Sequence, residues 1–153
     1  MDKLVFYRTN EHWSIAPEDI VYIKAAHNYT YIALIKDILE NKDNPSVLLP
    51  FQLGQTIHLI ETQSKEKRIK GYFFSIDRGL QINALYIRYV HPGLRKLILS
   101  DNRTFCIDLA EKMDLSYESL LKLKKQLEEI LSEDLKNEIN VYIKKKDSQE
   151  KIR

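Results

Sequence analysis

Apolar and polar positions alternate or cluster in short runs over most of this chain, and the runs change character near residue 113. Leu4 to Phe6 and Trp13 to Ile15 are short strand candidates, separated from the next apolar run by Ala16-Pro17-Glu18-Asp19. That run, Ile20-Val21-Tyr22-Ile23-Lys24-Ala25, is β-branched and aromatic, which fits a pleated, half-buried surface. Ala26-His27-Asn28 is a turn candidate, and Tyr29 to Ile35 returns as the second arm of a hairpin. Residues 36–46 are polar and read as a loop, ahead of a short strand over Val47 to Leu49. Leu53, Ile57 and Ile60 fall at helical spacing and predict a short helix over residues 53–63. A charged connector occupies residues 64–70.

Residues 73–87 begin with paired aromatics, break at Asp77-Arg78-Gly79, and turn apolar again around Asn83. An arginine between an acid and a glycine suits a bend, and bends between strands present side chains to partners. Asn83, set among aliphatics, reads as a side chain that bonds local backbone. Leu85 to His91 and Leu94 to Ser100 flank Pro92-Gly93, a type II turn pair. Asp101-Asn102 then separates residues 97–100 from 103–107 as a tight hairpin, so this stretch is a β-meander.

After Met113 the spacing becomes helical. Asp114 or Ser116 can cap a helix carrying Leu120, Leu123, Leu127, Ile130 or Leu131, and Leu135, with a break expected near residues 137–140. The tail from Lys144 is charged and reads as disordered. This divides the chain into a β-rich domain over residues 1–113, a helical extension over 114–143 and a tail over 144–153. Leu123, Leu127, Ile130 and Leu135 either pack on their own domain or form a homodimer seam, and both readings stay open.

Composition narrows the function classes. Residues 1–64 hold five Lys/Arg against eight Asp/Glu, residues 65–112 ten against five, and the remainder nine of each. The net charge of +2 therefore conceals a basic middle segment, which suits a polyanionic partner. One cysteine, Cys106, excludes an intrachain disulfide; lying between Phe105 and Ile107, it reads as a small core residue. No apolar run approaches the roughly 20 residues that span a bilayer, and the first residues lack a signal-peptide pattern, so a cytoplasmic protein is expected. His12, His27, His58 and His91 form no spaced ligand pair, and the four glycines form no phosphate loop. Neither an enzyme nor a cofactor or metal site is expected.

Two segments in this order carry a resemblance. Residues 19–25 with Asn28-Tyr29 shortly after them, and Phe74 through Ile87 with Asn83 four residues before the isoleucine, resemble the LytTR family of bacterial DNA-binding domains over roughly residues 3–113. The resemblance implies a mainly β (α+β) fold: an elongated arrangement of small antiparallel sheets with one short internal helix, extended here by a C-terminal helix. It implies duplex DNA as partner, held by loops rather than by a recognition helix, in a bacterial transcription regulator. Carried over position by position, it marks His27, Asn28, Thr30 and Tyr31 as a first contact loop and Arg78 as the central contact. A third contact falls near Leu109 or Ala110, where the nearest cation is Lys112; Arg103 and Lys112 are the phosphate-binding candidates. Ser75 and Asp77 stand where the family has Arg and His, and Asp108 where it has Ser. Losing cations removes phosphate contacts, and an exposed acid repels phosphate. A second hypothesis is therefore a LytTR-like domain with reduced or lost DNA binding that associates with protein through its C-terminal helix. A third, a small β-rich RNA-binding domain, draws on the basic middle and the tyrosines.

Overall fold

The computed structural model describes residues 3–41, 46–66, 73–130 and 133–152. Most of the basic connector predicted over 64–70, including Lys67, Arg68 and Lys70, lies outside the described residues, as do positions 42–45 of the predicted loop.

Three antiparallel sheets make up the β structure, so the chain is α+β as its pattern predicts. A hairpin pairs β1 (Leu4–Arg8) with β2 (Glu11–Ile15). A five-stranded sheet is built from β3 (Ile20–Ala26), β4 (Tyr29–Leu34), β5 (Val47–Leu49), β6 (Phe73–Asp77) and β7 (Leu80–Asn83), in the order β5-β4-β3-β7-β6. The third sheet orders β10 (Cys106–Asp108), β9 (Lys96–Ser100) and β8 (Ile87–His91). Five helices complete the described chain: α1 (Ile35–Leu39), α2 (Leu53–Glu66), α3 (Leu109–Met113), α4 (Tyr117–Glu129) and α5 (Glu133–Ile152).

The continuous apolar run of β3 has a physical reason: this central strand is covered on both faces. Its register skips Val21 between Ile20↔Leu34 and Tyr22↔Ala33. The bulge shifts the alternation by one residue. Ile20 and Ile23 therefore enter one core with Leu4, Phe6, Ile32, Leu49 and Ile60, under β1, β2 and α2. Val21 and Tyr22 enter the other, with Ile82, Leu97, Leu99, Leu109, Leu120 and Leu123, under the third sheet, α3 and α4. Fully burying an aliphatic side chain is worth about 1.5–3 kcal/mol, so β3 concentrates stability that both cores share.

Several local expectations change. The loop predicted from residue 36 contains α1, because the buried Asp37 carboxylate accepts from the Leu34 backbone N–H (3.1 Å) and so caps the helix start, while also holding the Ser46 N–H (3.1 Å) and hydroxyl. Gly93 does not take the positive φ of a type II turn; Arg95 does, at 53°, and its N–H closes on the Pro92 carbonyl at 3.1 Å. The β9–β10 connection is longer than a tight hairpin, since Asp101 Oδ1 gathers the N–H groups of Arg103, Thr104 and Phe105. Cys106 is exposed rather than in a core. The expectation for Asn83 holds: it is fully buried, its Nδ2 donates to Pro17 (3.3 Å) and Ile20 (2.7 Å) carbonyls, and its Oδ1 accepts from the Leu85 N–H at 3.0 Å.

The C-terminal segment also differs from expectation. Of the residues proposed for a seam, Leu120 and Leu123 are fully buried and Leu127 packs on the same core, so α4 belongs to the body. The helical path is interrupted after Ile130 rather than at 137–140, and residues 144–152 are helical rather than a disordered tail. Residues 133–152 contain no Gly or Pro and are rich in good helix formers.

Candidate nucleic-acid interface

Antiparallel order brings separate turns to one end of the five-stranded sheet. β3 runs into its turn with β4 where β7 begins, since Lys24 lies opposite both Tyr31 and Leu80. The Ala25 N–H donates to the Gly79 carbonyl at 2.8 Å, which fixes the Arg78-Gly79 turn beside the His27-Asn28 turn. His27 takes φ 57°, a conformation that β-branched residues resist and His tolerates. A two-residue turn with positive φ at its first position matches strand twist, so the imidazole is held at the exposed tip. Asn28 is exposed beside it and accepts from Gln52 at 3.3 Å.

A cleft of about 380 Å³ opens on the sheet face at this end. Tyr22, Ala33 and Leu80 form its floor; Asp37 and Ile38 of α1 lie on one side, Lys112 and Met113 of α3 on the other, and Lys24, Tyr31, Asp77 and Gly79 at the mouth. Thus Tyr31, Lys112 and the Arg78 turn, picked from distant parts of the sequence, do converge. Burial, and after it the nearby Asp37 carboxylate, raises the Tyr22 phenol above its ordinary value, so it stays protonated. Burial works to raise Asp37, yet the Ser46 hydroxyl and the backbone N–H groups of Leu34 and Ser46 pull it below the ordinary carboxylate value.

Arg78 is exposed, and among the described residues neither Asp77 nor Asp108 forms an ion pair with it. Asp77 accepts the Arg78 backbone N–H at 2.7 Å, so it shapes the turn that displays the arginine while adding an exposed negative charge. Asp108 plays a different part. Its Oδ1 accepts from the Leu97 N–H (3.2 Å) and the Glu111 N–H (3.4 Å), capping α3 and tying it to β9.

Two candidates do not join the group. Thr30 is fully buried; its hydroxyl donates to the Phe51 carbonyl at 2.8 Å and accepts from Thr56 at 3.1 Å, because alternation along β4 turns it inward from its neighbours Tyr29 and Tyr31. Arg103 sits in the β9–β10 loop at the opposite end of the sheet. That loop packs Phe105 edge-on against Tyr86 (5.5 Å between rings), and Tyr86 donates to the Glu18 carbonyl just before β3. Burial and then the carboxylates of Asp19, Asp101 and Glu18 raise the Tyr86 phenol, so the surroundings of Arg103 are acidic. The family's third contact position is equally unavailable, with Leu109 at 0 % and Ala110 at 3 % exposure.

Three exposed cations at the turn-bearing end escape sequence reading: Lys24, Arg95 and Lys96. Arg95 lies 3.8 Å from Asp114 just after α3, and Lys96 pairs with His91 at the base of the β8–β9 turn. Lys24 was legible from its place at the strand end opposite Tyr31, whereas assigning residues 94–100 wholly to a strand hid the turn position of Arg95. Five cations (Lys24, Arg78, Arg95, Lys96, Lys112) thus stand near four carboxylates (Asp37, Asp77, Glu111, Asp114), which leaves a small positive excess. Among the described residues no cluster of three or more His, Cys, Asp or Glu could hold a metal ion, and no helix is long and apolar enough to cross a membrane.

No protein-family model and no curated protein matches the chain. Among solved structures it is similar to the LytTr DNA-binding domain of a protein described as a methyl-accepting/DNA response regulator from Bacillus cereus. That likeness covers 83% of this chain and 97% of the other, at 12% identity and a TM-score of 0.45. At that level the function of this chain has to be argued from its own residues.

Proposed function

We propose that this protein binds duplex DNA through the turns at one end of its five-stranded sheet, as a non-enzymatic transcription regulator of the bacterial cytoplasm. The observation that carries this reading is the convergence of His27, Asn28, Tyr31, Arg78 and Lys112 on a single end. Arg78 is the central contact, able to reach a guanine edge or a phosphate. Lys112, with Lys24, Arg95 and Lys96, positions the duplex through phosphates, which fix register without reading sequence. Thr30 and Arg103 drop out of the contact set. A second copy of the chain is the expected partner at the C-terminal helical segment.

Selection of bound duplexes from a genomic library by the purified protein tests the reading. Enrichment of a common sequence at moderate salt supports it; a pool with no enriched sequence would remove specific DNA recognition. The alternative, a domain that has lost DNA binding and works by protein association, is favoured by the exposed acid Asp77 beside Arg78. It gains ground if the same protein shows no duplex affinity at low salt, where five cations act most strongly.

A further inference from the structure

Helix α5 carries an apolar stripe that its own domain leaves in water. Ile139, Tyr142 and Ile143 are spaced at three- and four-residue steps, one turn after Leu135, and so share one face. Their exposures are 42, 68 and 49 %. An isolated helix of this length is marginal in water, so a stripe of this kind calls for a cover.

We propose that the cover is the same helix of a second copy, packed antiparallel along the stripe. This rests on the reading of the C-terminal segment as a self-association element and adds which helix pairs and in which direction. Charge decides the direction. Glu138 and Lys145 stand seven residues apart on one flank of the stripe, both exposed. When Ile139 of one copy faces Tyr142 and Ile143 of the other in opposite directions, each Glu138 comes level with Lys145 of the other copy. The pairing is isologous: one surface satisfies itself twice about a two-fold axis. Lys146 separates the two directions further, because it falls in line with the stripe. A parallel pair would set two Lys146 ammonium groups against each other inside the seam. The antiparallel pair sets each beside the first turn of the other copy, which carries Asp134. A 20-residue helix is about 30 Å long, a short seam, so association belongs in the micromolar range.

Sedimentation velocity of the full chain over a dilution series provides the test, with far-UV circular dichroism to confirm folding. The wild type is expected to move from monomer to twice the 18.1 kDa chain mass as concentration rises. Ile139→Glu is expected to remain monomeric and folded. Glu138→Lys and Lys145→Glu should each weaken the dimer about fivefold or more, and the two together should restore it. A wild type that stays monomeric at every concentration would assign the stripe to a different partner and overturn the proposal. So would a dimer indifferent to Ile139→Glu, and a double charge swap that fails to restore association would overturn the antiparallel direction. The assay contains no DNA, so its failure and the failure of the DNA-binding reading are separately visible.

Discussion

The two ends of the five-stranded sheet are built on opposite plans. At the end where β3 begins, polar groups turn inward: Asn83 ties Pro17, Ile20 and Leu85 together, Tyr86 reaches the Glu18 carbonyl, and Asp101 closes its own loop. At the end where β3 finishes, polar groups turn outward: His27, Asn28, Arg78, Arg95 and Lys112 are exposed on turns and a short helix. Satisfied buried polar groups specify a fold, whereas displayed charges on a fixed frame are free to meet a ligand. Cations at the two ends are thus not equivalent, although the sequence offers Arg78 and Arg103 as similar polar-turn arginines.

Substitutions should separate the ends. The largest effect belongs to the inward end: Asn83→Leu leaves two carbonyls and an N–H without partners and is expected to cost about 2–4 kcal/mol of stability in urea unfolding. An unchanged midpoint would break the contrast. Next, Arg78→Ala should lower duplex affinity about five- to 150-fold (about 1–3 kcal/mol) in an electrophoretic shift, with unfolding unaltered. Unchanged affinity would take Arg78 out of the interface. His27→Val should cost about 1 kcal/mol of stability, since a β-branched residue is strained at positive φ; thermal unfolding would show it.

Acid unfolding sharpens the contrast on a smaller scale. The Asp37 pKa is depressed on folding, so its contribution is present above the ordinary value of 3.8 and is lost as pH falls through the lower folded value. Asp37→Asn should flatten that drop and leave stability above pH 5 nearly independent of pH. The smallest effect is expected for Arg103→Ala, which should leave duplex affinity within about twofold. A loss as large as that of Arg78→Ala would erase the distinction between the ends.

Much of the frame was legible because the relevant signals are local. The β3–β4 hairpin comes from β-branched runs around a turn, α2 from its three- and four-residue steps, and Asn83 from a lone amide among aliphatics. Thr30 was misplaced because alternation had not been applied within the contact loop: Tyr29 and Tyr31 flank a position that must face the other way. Arg103 was misplaced because pairing order, invisible in a linear reading, decides which turns share an end. The helical state of residues 144–152 was missed because charge density was read as disorder, although no residue there breaks a helix.

One contact of α4 has a consequence for anyone who trims this protein. Gln126 Nε2 donates to the Ser75 carbonyl at 2.8 Å, and α4 lies along β6, the outer strand on that side of the five-stranded sheet. The helix therefore works as a selvedge, binding off a border that would otherwise fray into its neighbours. A fragment ending at residue 113 would keep every turn at the proposed interface and still present a bare strand, and bare strands recruit one another. Such a fragment is expected to precipitate, and the shortest well-behaved form of the β-rich body should extend through Glu129.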